Sequence, residues 1–321
     1  MADWDLLMTG PAMPVIAERL EQAGTLHRYW TFADPEAELA AIADRIRILI
    51  ATFHSPRIDA AFLARFPKLE LVSSFGVGYD HIDAAAAASR GIVVTHTPGV
   101  LDAEVADTAL ALTLAAVRRL PQAERYLRAG KWLERPFPLS PSLHGRTMGI
   151  LGLGRIGREI ARRALAFGLE VVYHGRRPQD DAPYLYYPTL KSMAEACDIL
   201  MVVAPGGAST RHIVDADVLK ALGSNGVLVN VARGSLVDEA ALIEALKDGT
   251  ILAAGLDVFE NEPQVPEALL ALDNAVLLPH VGSASEATRL AMANLVVDNA
   301  LDWMAGKGPR TPVPETPYSR R

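Results

Sequence analysis

The chain has one cysteine, no excess of basic residues and no long hydrophobic run, and each absence excludes a class of protein. Its single cysteine, Cys197, rules out an internal disulfide and a cysteine-based metal site, so we expect a reducing, cytoplasmic compartment. The net charge of −7 argues against a nucleic-acid partner. The apolar run 109–117 is too short to span a bilayer, and the N-terminus lacks the basic start of a signal peptide. We therefore expect no metal ion, no nucleic acid and no membrane among its partners.

What is present is an alternation of strands and helices in two blocks. A chain of 321 residues suggests two domains. In the first hundred residues, four apolar runs (5–10, 46–53, 69–75 and 91–96) read as strands, and 13–24 and 58–67 have helical spacing. A second alternating block starts near residue 147. The pattern predicts an α/β protein with a parallel, doubly wound sheet.

Between the blocks, Pro98 and Gly99 interrupt the pattern and predict a hinge. The helix that starts at Asp102 is apolar almost all round, so it is either an interior helix or a subunit interface.

A last long helix should start near Ser283 and pack through Leu290, Leu295, Ala300 and Leu301. The proline-rich tail 307–321 should be extended or frayed.

The segment ILGLGRIG contains a glycine pattern after an apolar strand and before a helix. Gly152, Gly154 and Gly157 form G-x-G-x-x-G, and this context makes it a dinucleotide fingerprint. The first glycine makes a tight turn, the second lets a pyrophosphate approach, and the third lets helix and strand pack closely. The competing reading is three glycines that only make turns.

The next strand ends in the turn Gly175, Arg176 and Arg177, where an acid is missing. An Asp or Glu at that place would accept from the ribose 2′-OH of NAD and repel a 2′-phosphate. Glycine removes the repulsion, and each arginine could add a charge-assisted hydrogen bond of about 1.5–3 kcal/mol. The turn therefore favours NADPH over NADH, unless the two arginines are ordinary surface charges.

Three later loops carry polar residues just after predicted strands. Arg233 follows VLVNVA, Asp257 and Glu262 lie in GLDVFENEP, and His280 follows Pro279. Because parallel strands present their carboxyl ends at one edge, these loops could converge on one cleft. Arginine holds carboxylates, histidine transfers protons near neutral pH, and a neighbouring glutamate favours the imidazolium. Together they predict catalysis.

These segments resemble the D-isomer-specific 2-hydroxyacid dehydrogenase family over nearly the whole chain. The motifs are LGLGRIG, LKALGSNGVLVNVARGSLVDEAAL, GLDVFENEP, LPHVGSAS and, in the first domain, SSFGVGYDHID. The resemblance implies a Rossmann domain, 100–284, inserted in a smaller flavodoxin-like α/β substrate domain, 1–99 plus 285–321. It also implies a homodimer joined through the helix around 104–119.

Residue roles follow from the same resemblance. Arg233, Glu262 and His280 match the catalytic residues, and Val77 and Gly78 match the loop whose backbone N–H groups meet the substrate carboxylate. The implied substrate-binding residues are Val77, Gly78, Arg233 and His280. The implied cofactor-binding residues are Thr108, Gly152, Leu153, Gly154, Arg155, Ile156, Gly157, Gly175, Arg176, Arg177, Ala204, Pro205, Thr210, Val231, Ala232, Asp257, His280 and Gly282. One stretch, APGGAST, departs from the family's proline-rich pattern through Gly206 and Gly207.

Within the family, the Gly-Arg-Arg turn is similar to the NADPH-using glyoxylate/hydroxypyruvate reductases. The resemblance therefore implies reduction of small 2-keto acids, glyoxylate or hydroxypyruvate, to 2-hydroxy acids. One alternative is a reductase for bulkier 2-keto acids such as hydroxyphenylpyruvate. The volume of the substrate pocket decides between the two, and loops such as the one around Leu101 and Trp132 set that volume. Another is a non-catalytic, cofactor-sensing binding protein on the same fold.

Overall fold

The structure, a computed structural model, describes residues 4–53 and 55–319 and divides them into two compact units. The first unit joins the residues up to Leu101 with those from Ser285 onward, and the second runs from Asp102 to Ala284. Each unit contains one sheet whose named strands all pair in parallel. The predicted α/β class is therefore confirmed. None of the helices in the described residues is both long and apolar enough to cross a membrane.

The first unit is built on a five-stranded sheet with the order β2-β1-β3-β4-β5. Its strands are β1 Asp5–Met8, β2 Thr25–Arg28, β3 Ile46–Ala51, β4 Leu71–Ser74 and β5 Val93–Thr95. Its helices are α1 Pro14–Glu21, α2 Pro35–Ile42, α3 Ala60–Ala64, α4 Ala84–Ser89 and, from the far end of the chain, α12 Glu286–Met304. The inner strands are buried along their length, which explains their continuous apolar runs.

Aspartates start several helices of this unit. The side chains of Asp34, Asp59 and Asp83 each accept the backbone N–H three residues later. Such a cap stabilises a helix by about 1 kcal/mol because it satisfies an otherwise unpaired donor.

Two elements of this unit are not indicated by the apolar pattern. The edge strand β2 has the sequence TLHR, with no buried residue and no alternation. The second such element is α2. Its start is nevertheless marked in the sequence, because Asp34 is a capping residue and Pro35 occupies the first helical position.

The prediction for the last helix is wrong in its start and in the three leucines of its buried face, but correct for Ala300, which is fully buried. The N-cap is Ser285 rather than Ser283, and its side chain accepts from the Thr288 N–H. Leu290 is 43% exposed, and Leu295 and Leu301 are only half-buried. The apolar residues that the helix buries are Met292, Ala293, Val296, Val297 and Ala300. This stripe faces α1 and β4, so the helix packs on the first unit as expected.

The proline-rich tail is not frayed. Val313 is fully buried, and its N–H donates to the Val94 carbonyl oxygen at 2.9 Å. Pro312 forms an antiparallel bridge with Thr95 on β5. A proline can pair in this way because β5 is the edge of the sheet. Residues 320 and 321 lie outside the described residues.

The second unit has a seven-stranded sheet with the order β12-β11-β10-β9-β6-β7-β8. Its strands are β6 Thr147–Leu151, β7 Glu170–His174, β8 Leu185–Tyr186, β9 Ile199–Val202, β10 Val227–Asn230, β11 Ala253–Leu256 and β12 Ala275–Leu277. Its helices are α5 Asp102–Arg118, α6 Leu120–Arg128, α7 Arg155–Ala166, α8 Leu190–Glu195, α9 Ala216–Leu222, α10 Glu239–Lys247 and α11 Glu267–Leu270. Short 3-10 turns occupy Tyr29–Thr31, Lys131–Leu133, Ala208–Thr210 and Gly234–Leu236.

The chain changes direction in this sheet between β6 and β9. From β6 it builds outward through β7 and β8, and then crosses to β9 on the other side. In α/β sheets, ligands bind at the carboxyl ends of the strands beside such a switch point.

The helix α5 lies in the interior of its own unit. It packs against α7, β10, β11 and β12. Its buried residues are Asp102, Val105, Ala106, Ala109, Leu110, Leu112, Thr113, Ala116 and Val117. The apolar character of α5 is thus explained within the unit.

Candidate active site

The glycine loop follows β6 and leads directly into α7. Gly152 has φ +100°, and a Cβ there would lie 2.8 Å from the backbone of Ala204. A Cβ on Gly157 would lie 2.3 Å from the Gly152 carbonyl oxygen. Only glycine fits at both positions, because the obstructing atoms belong to the backbone rather than to a flexible side chain.

Gly154 differs from the other two, since no atom lies within 4 Å of its Cβ position. It is the N-cap of α7, and it has no side chain to cap the first N–H groups. Such a helix end favours a phosphate through its N–H groups and its dipole. The open space and the helix end fit the pyrophosphate of a dinucleotide.

The turn after β7 carries Gly175, Arg176 and Arg177. No atom lies within 4 Å of the Cβ position of Gly175, and both arginines are exposed. Gln179 ties this turn to the glycine loop, because its Nε2 donates to the Leu153 carbonyl oxygen at 3.0 Å. The two guanidinium groups therefore lie on a turn that is anchored to the dinucleotide loop.

Several of the other residues implied for the cofactor lie at the ends of these strands. Thr210 Oγ1 donates to the Pro205 carbonyl oxygen at 2.8 Å, which closes the APGGAST loop despite its two glycines. Thr108 Oγ1 lies 3.4 Å from the Gly282 carbonyl oxygen. The side chain of Arg155 pairs with Asp102. The remaining members, Leu153, Ile156, Ala204, Val231 and Ala232, follow β6, β9 or β10.

Arg233 follows β10 in a turn organised by Asn230. The Asn230 Oδ1 accepts from the Ala232 N–H at 3.0 Å, and its Nδ2 donates to the Arg233 carbonyl oxygen at 2.9 Å. Beyond the turn, a Cβ on Gly234 would lie 1.9 Å from the Phe259 backbone. The loop that carries Arg233 therefore packs tightly on the loop that carries Glu262.

His280 and Glu262 form a direct pair. His280 Nδ1 lies 2.7 Å from Glu262 Oε2, and Glu262 Oε1 accepts from the Phe259 N–H at 3.0 Å. Burial opposes ionisation of this glutamate, but His280, the Phe259 N–H and the charge of Arg233 together lower its pKa. The side chains of His280 and Glu262 are 34% and 33% exposed, so the pair is open to a ligand.

Asp257 holds the backbone of the His280 loop. It is 2% exposed, and its two carboxylate oxygens accept from Val281 N–H at 2.7 Å and Gly282 N–H at 2.8 Å. Burial raises the pKa of Asp257 against the effect of these two donors. His280 itself has φ +53°, a conformation that a non-glycine residue adopts only when its surroundings impose it.

A second histidine–glutamate pair in this unit was not identified from the sequence. His212 has φ +50°, and its Nε2 lies 2.8 Å from Glu260 Oε1, which also accepts from Arg211 Nη2 at 2.7 Å. The sequence signal was the first glutamate of FENEP, Glu260. No group of three or more His, Cys, Asp or Glu side chains is arranged for a metal within residues 4–53 and 55–319.

The structure thus brings Arg233, Glu262, His280 and Asp257 together in the second unit. Val77 and Gly78 lie in the first unit, in the loop after β4.

Comparisons with known proteins agree with this geometry. The model of the D-isomer specific 2-hydroxyacid dehydrogenase NAD-binding domain matches residues 110–282. A glyoxylate/hydroxypyruvate reductase A of Arabidopsis thaliana is 46% identical over 308 residues, which is 96% of this chain and 98% of the relative. A hydroxyphenylpyruvate reductase of Plectranthus scutellarioides is 42% identical over 308 residues, with the same shares covered.

Among solved structures, an NADPH-dependent glyoxylate/hydroxypyruvate reductase of Sinorhizobium meliloti, in complex with NADP and malonate, is similar to this chain. The two share 52% sequence identity and a TM-score of 0.93, over 100% of this chain and 99% of the other.

Proposed function

Because the chain belongs to the D-isomer specific 2-hydroxyacid dehydrogenase family, we propose that it reduces small 2-keto acids, glyoxylate and hydroxypyruvate first, with NADPH. Family membership confirms the resemblance that the motifs indicated. The similar proteins that match nearly the whole chain are reductases, so the chain is an NAD(P)-using enzyme rather than a non-catalytic binding protein. The choice of keto acid is supported by the names of the relatives. The choice of NADPH is supported by the turn after β7.

The second unit would hold the cofactor at the carboxyl ends of β6 and β7. The N–H groups at the start of α7 and the open space at Gly154 suit the pyrophosphate. Arg176 and Arg177 are exposed, and Gly175 leaves room for a 2′-phosphate. When bound, NADPH supplies the hydride that the carbonyl carbon of the substrate accepts.

We assign two kinds of carboxylate-binding group, each within its own unit. They are the Arg233 guanidinium in the second unit and the N–H groups of Val77 and Gly78 in the first. Arginine binds a carboxylate in a planar, bidentate manner, and it also polarises a carbonyl oxygen beside it. With the boundaries expected from the sequence, 1–99 plus 285–321 and 100–284, Val77 and Gly78 belong to the first domain, and Arg233 and His280 belong to the domain that would hold the cofactor.

His280 is assigned as the proton donor. Glu262 occupies its Nδ1, so Nε2 is the atom that gives its proton to the developing alkoxide. Glu262 fixes the orientation of the ring through Nδ1, and Asp257 fixes the loop by binding two N–H groups. One hydride and one proton convert the carbonyl group of the substrate to an alcohol.

The observation that supports this proposal most strongly is the His280–Glu262 pair beside Arg233 in a unit with a dinucleotide fingerprint. We would test it with a steady-state matrix of NADPH and NADH against glyoxylate, hydroxypyruvate and phenylpyruvate. We expect the highest kcat/KM for NADPH with one of the two small acids. Cofactor binding without oxidation of NADPH or NADH by any of these acids would contradict the proposal.

A reductase for bulkier 2-keto acids is the second candidate, favoured by the similarity to a hydroxyphenylpyruvate reductase. The same matrix separates the two candidates. A kcat/KM for phenylpyruvate above that for glyoxylate would favour the bulky substrate.

We also propose that the chain forms a homodimer, as the family resemblance implies. The segment after α5 exposes several large apolar side chains, a composition that is unusual for a free surface. They are Leu120, Leu127, Trp132, Leu133 and Leu139. Since α5 itself is mostly buried in its own unit, the contact would involve 120–139 as much as 104–119. Light scattering on the purified chain should give twice the mass of 34.5 kDa.

A further inference from the structure

The proposed carboxylate donors in the first unit are backbone groups, so something must aim them. In a trans peptide the C=O and the N–H point in opposite directions. A hydrogen bond to the carbonyl of residue 76 therefore fixes the direction of the Val77 N–H. A bond to the Val77 carbonyl does the same for the Gly78 N–H.

Both carbonyls are held by the residues that follow β5. The Gly76 carbonyl oxygen accepts from the Thr97 N–H at 2.9 Å. The Val77 carbonyl oxygen lies 2.9 Å from His96 Nδ1. Since a carbonyl only accepts, His96 Nδ1 is the donor. One backbone N–H and one imidazole N–H thus orient the two peptides.

His96 is held in turn by the C-terminal tail. Its N–H donates to the Thr311 carbonyl oxygen at 3.2 Å, and Thr311 Oγ1 donates back to the His96 carbonyl oxygen at 2.6 Å. The same hydroxyl accepts from Asn299 Nδ2 at 2.9 Å, and Asn299 on α12 is fully buried. A chain of hydrogen bonds therefore runs from the buried face of α12 to the Val77 carbonyl.

Tyr79 provides a second connection between the tail and this loop. Its hydroxyl donates to Glu315 Oε2 at 2.9 Å, and its ring meets the His96 ring edge-on with centroids 5.5 Å apart. Burial and the neighbouring Glu315 raise the pKa of Tyr79 to about 12, so the hydroxyl keeps its proton at any working pH.

We propose that His96, held by Thr311 of the C-terminal tail, is a positioning residue that aims the Gly78 N–H at the carboxylate of the substrate. This inference rests on the proposed function, because it takes Val77 and Gly78 as carboxylate donors. It gives the tail a task in substrate binding that its proline-rich sequence does not indicate.

The test compares His96→Ala with His96→Asn, whose amide can donate from nearly the position of Nδ1. In His96→Ala we expect the KM for the keto acid to rise about tenfold, as for one lost oriented hydrogen bond. The kcat should change less than about threefold, and the KM for NADPH should not change, since the cofactor donors lie elsewhere. His96→Asn should recover most of the loss, and Thr311→Val should show a smaller rise of about threefold.

His27→Ala is the matched control. It removes a partly buried histidine of the same unit. His27 lies on β2, at the edge of the sheet opposite β5, and pairs with Asp5 on β1. We expect a lower Tm without a change in the KM for the keto acid. If His96→Ala likewise lowers only Tm or kcat, His96 is merely structural and the inference is overturned.

Hydrogen exchange gives a readout that needs no activity. Exchange at Thr97, whose N–H donates to the Gly76 carbonyl oxygen of this loop, should become faster in His96→Ala than in the wild type and in His27→Ala. Unchanged exchange would overturn the inference even in an active enzyme. If the wild type reduces no 2-keto acid, the proposed function is refuted instead. Hydrogen exchange would still show whether His96 holds the loop.

Discussion

The two units present functional groups of different kinds at the carboxyl edges of their sheets. The second unit offers the polar side chains of Arg233, Glu262 and His280. In the first, the candidate groups are two backbone N–H donors at Val77 and Gly78, and the carbonyl of the residue before each one accepts a hydrogen bond. Side-chain chemistry can be removed by one substitution, whereas backbone chemistry is changed only through the residues that orient it.

The largest difference between the two edges should appear at His280. We expect His280→Ala to reduce kcat by about 10²- to 10⁴-fold, because the proton donor is lost. This exceeds the tenfold KM effect expected at His96, where only an orientation is lost. Steady-state kinetics with saturating NADPH measures both.

His212→Ala is the control for that substitution, since it removes another histidine with positive φ and a glutamate partner from the same unit. Its kcat should stay within about threefold of the wild type. Equal losses in the two variants would mean that the His280 effect is structural.

The glycine loop of the second unit would also bind its ligand through backbone N–H groups. Substitutions at Gly157 and Gly154 should separate the effect of this loop on stability from its effect on cofactor binding. Gly157→Ala places a Cβ against the Gly152 carbonyl, so we expect a loss of about 1–3 kcal/mol in the free energy of unfolding. Gly154→Ala has open space, so its stability should stay near that of the wild type while the KM for NADPH rises. Chemical denaturation and cofactor titration measure the two effects, and a reversed pattern would contradict these roles.

The charged turn after β7 tests whether side chains alone select the cofactor. Replacing Arg176 and Arg177 by alanine should raise the KM for NADPH about tenfold or more, because charge-assisted bonds to the 2′-phosphate are lost. The KM for NADH should change little. Equal effects on both cofactors would return the pair to ordinary surface charge.

The smallest expected effect concerns the stability contributed by Glu262. Its pKa is lowered from 4.5 in the fold, so its contribution is present at neutral pH and disappears as the pH falls below that value. Wild type should exceed Glu262→Gln in free energy of unfolding at pH 7 by about 1 kcal/mol or less, since the pair is partly exposed. That difference should shrink near pH 3 in denaturant titrations. A constant difference would show that ionisation of Glu262 contributes nothing.

Predictability from the sequence also differs between the two units. In the second, the fingerprint around Gly154 and the polar residues after buried strands identified the loops, because parallel strands present their ends at one edge. In the first, β2 carries no apolar pattern, and Val77 and Gly78 were indicated only by a family resemblance. A residue that donates through its backbone N–H can carry almost any side chain, so its identity in the sequence does not reveal this role.

The sequence by itself determined the α/β class, the glycine loop and the side chains Arg233, Glu262 and His280, because local apolar periodicity and short motifs encode them. Only the tertiary structure decided which face α12 buries, that the tail pairs with β5, and that His96 holds the Val77 carbonyl. These depend on contacts between residues far apart in the chain, such as Thr311 with His96. Such contacts are selected by the packing of the whole unit, and no local pattern specifies them.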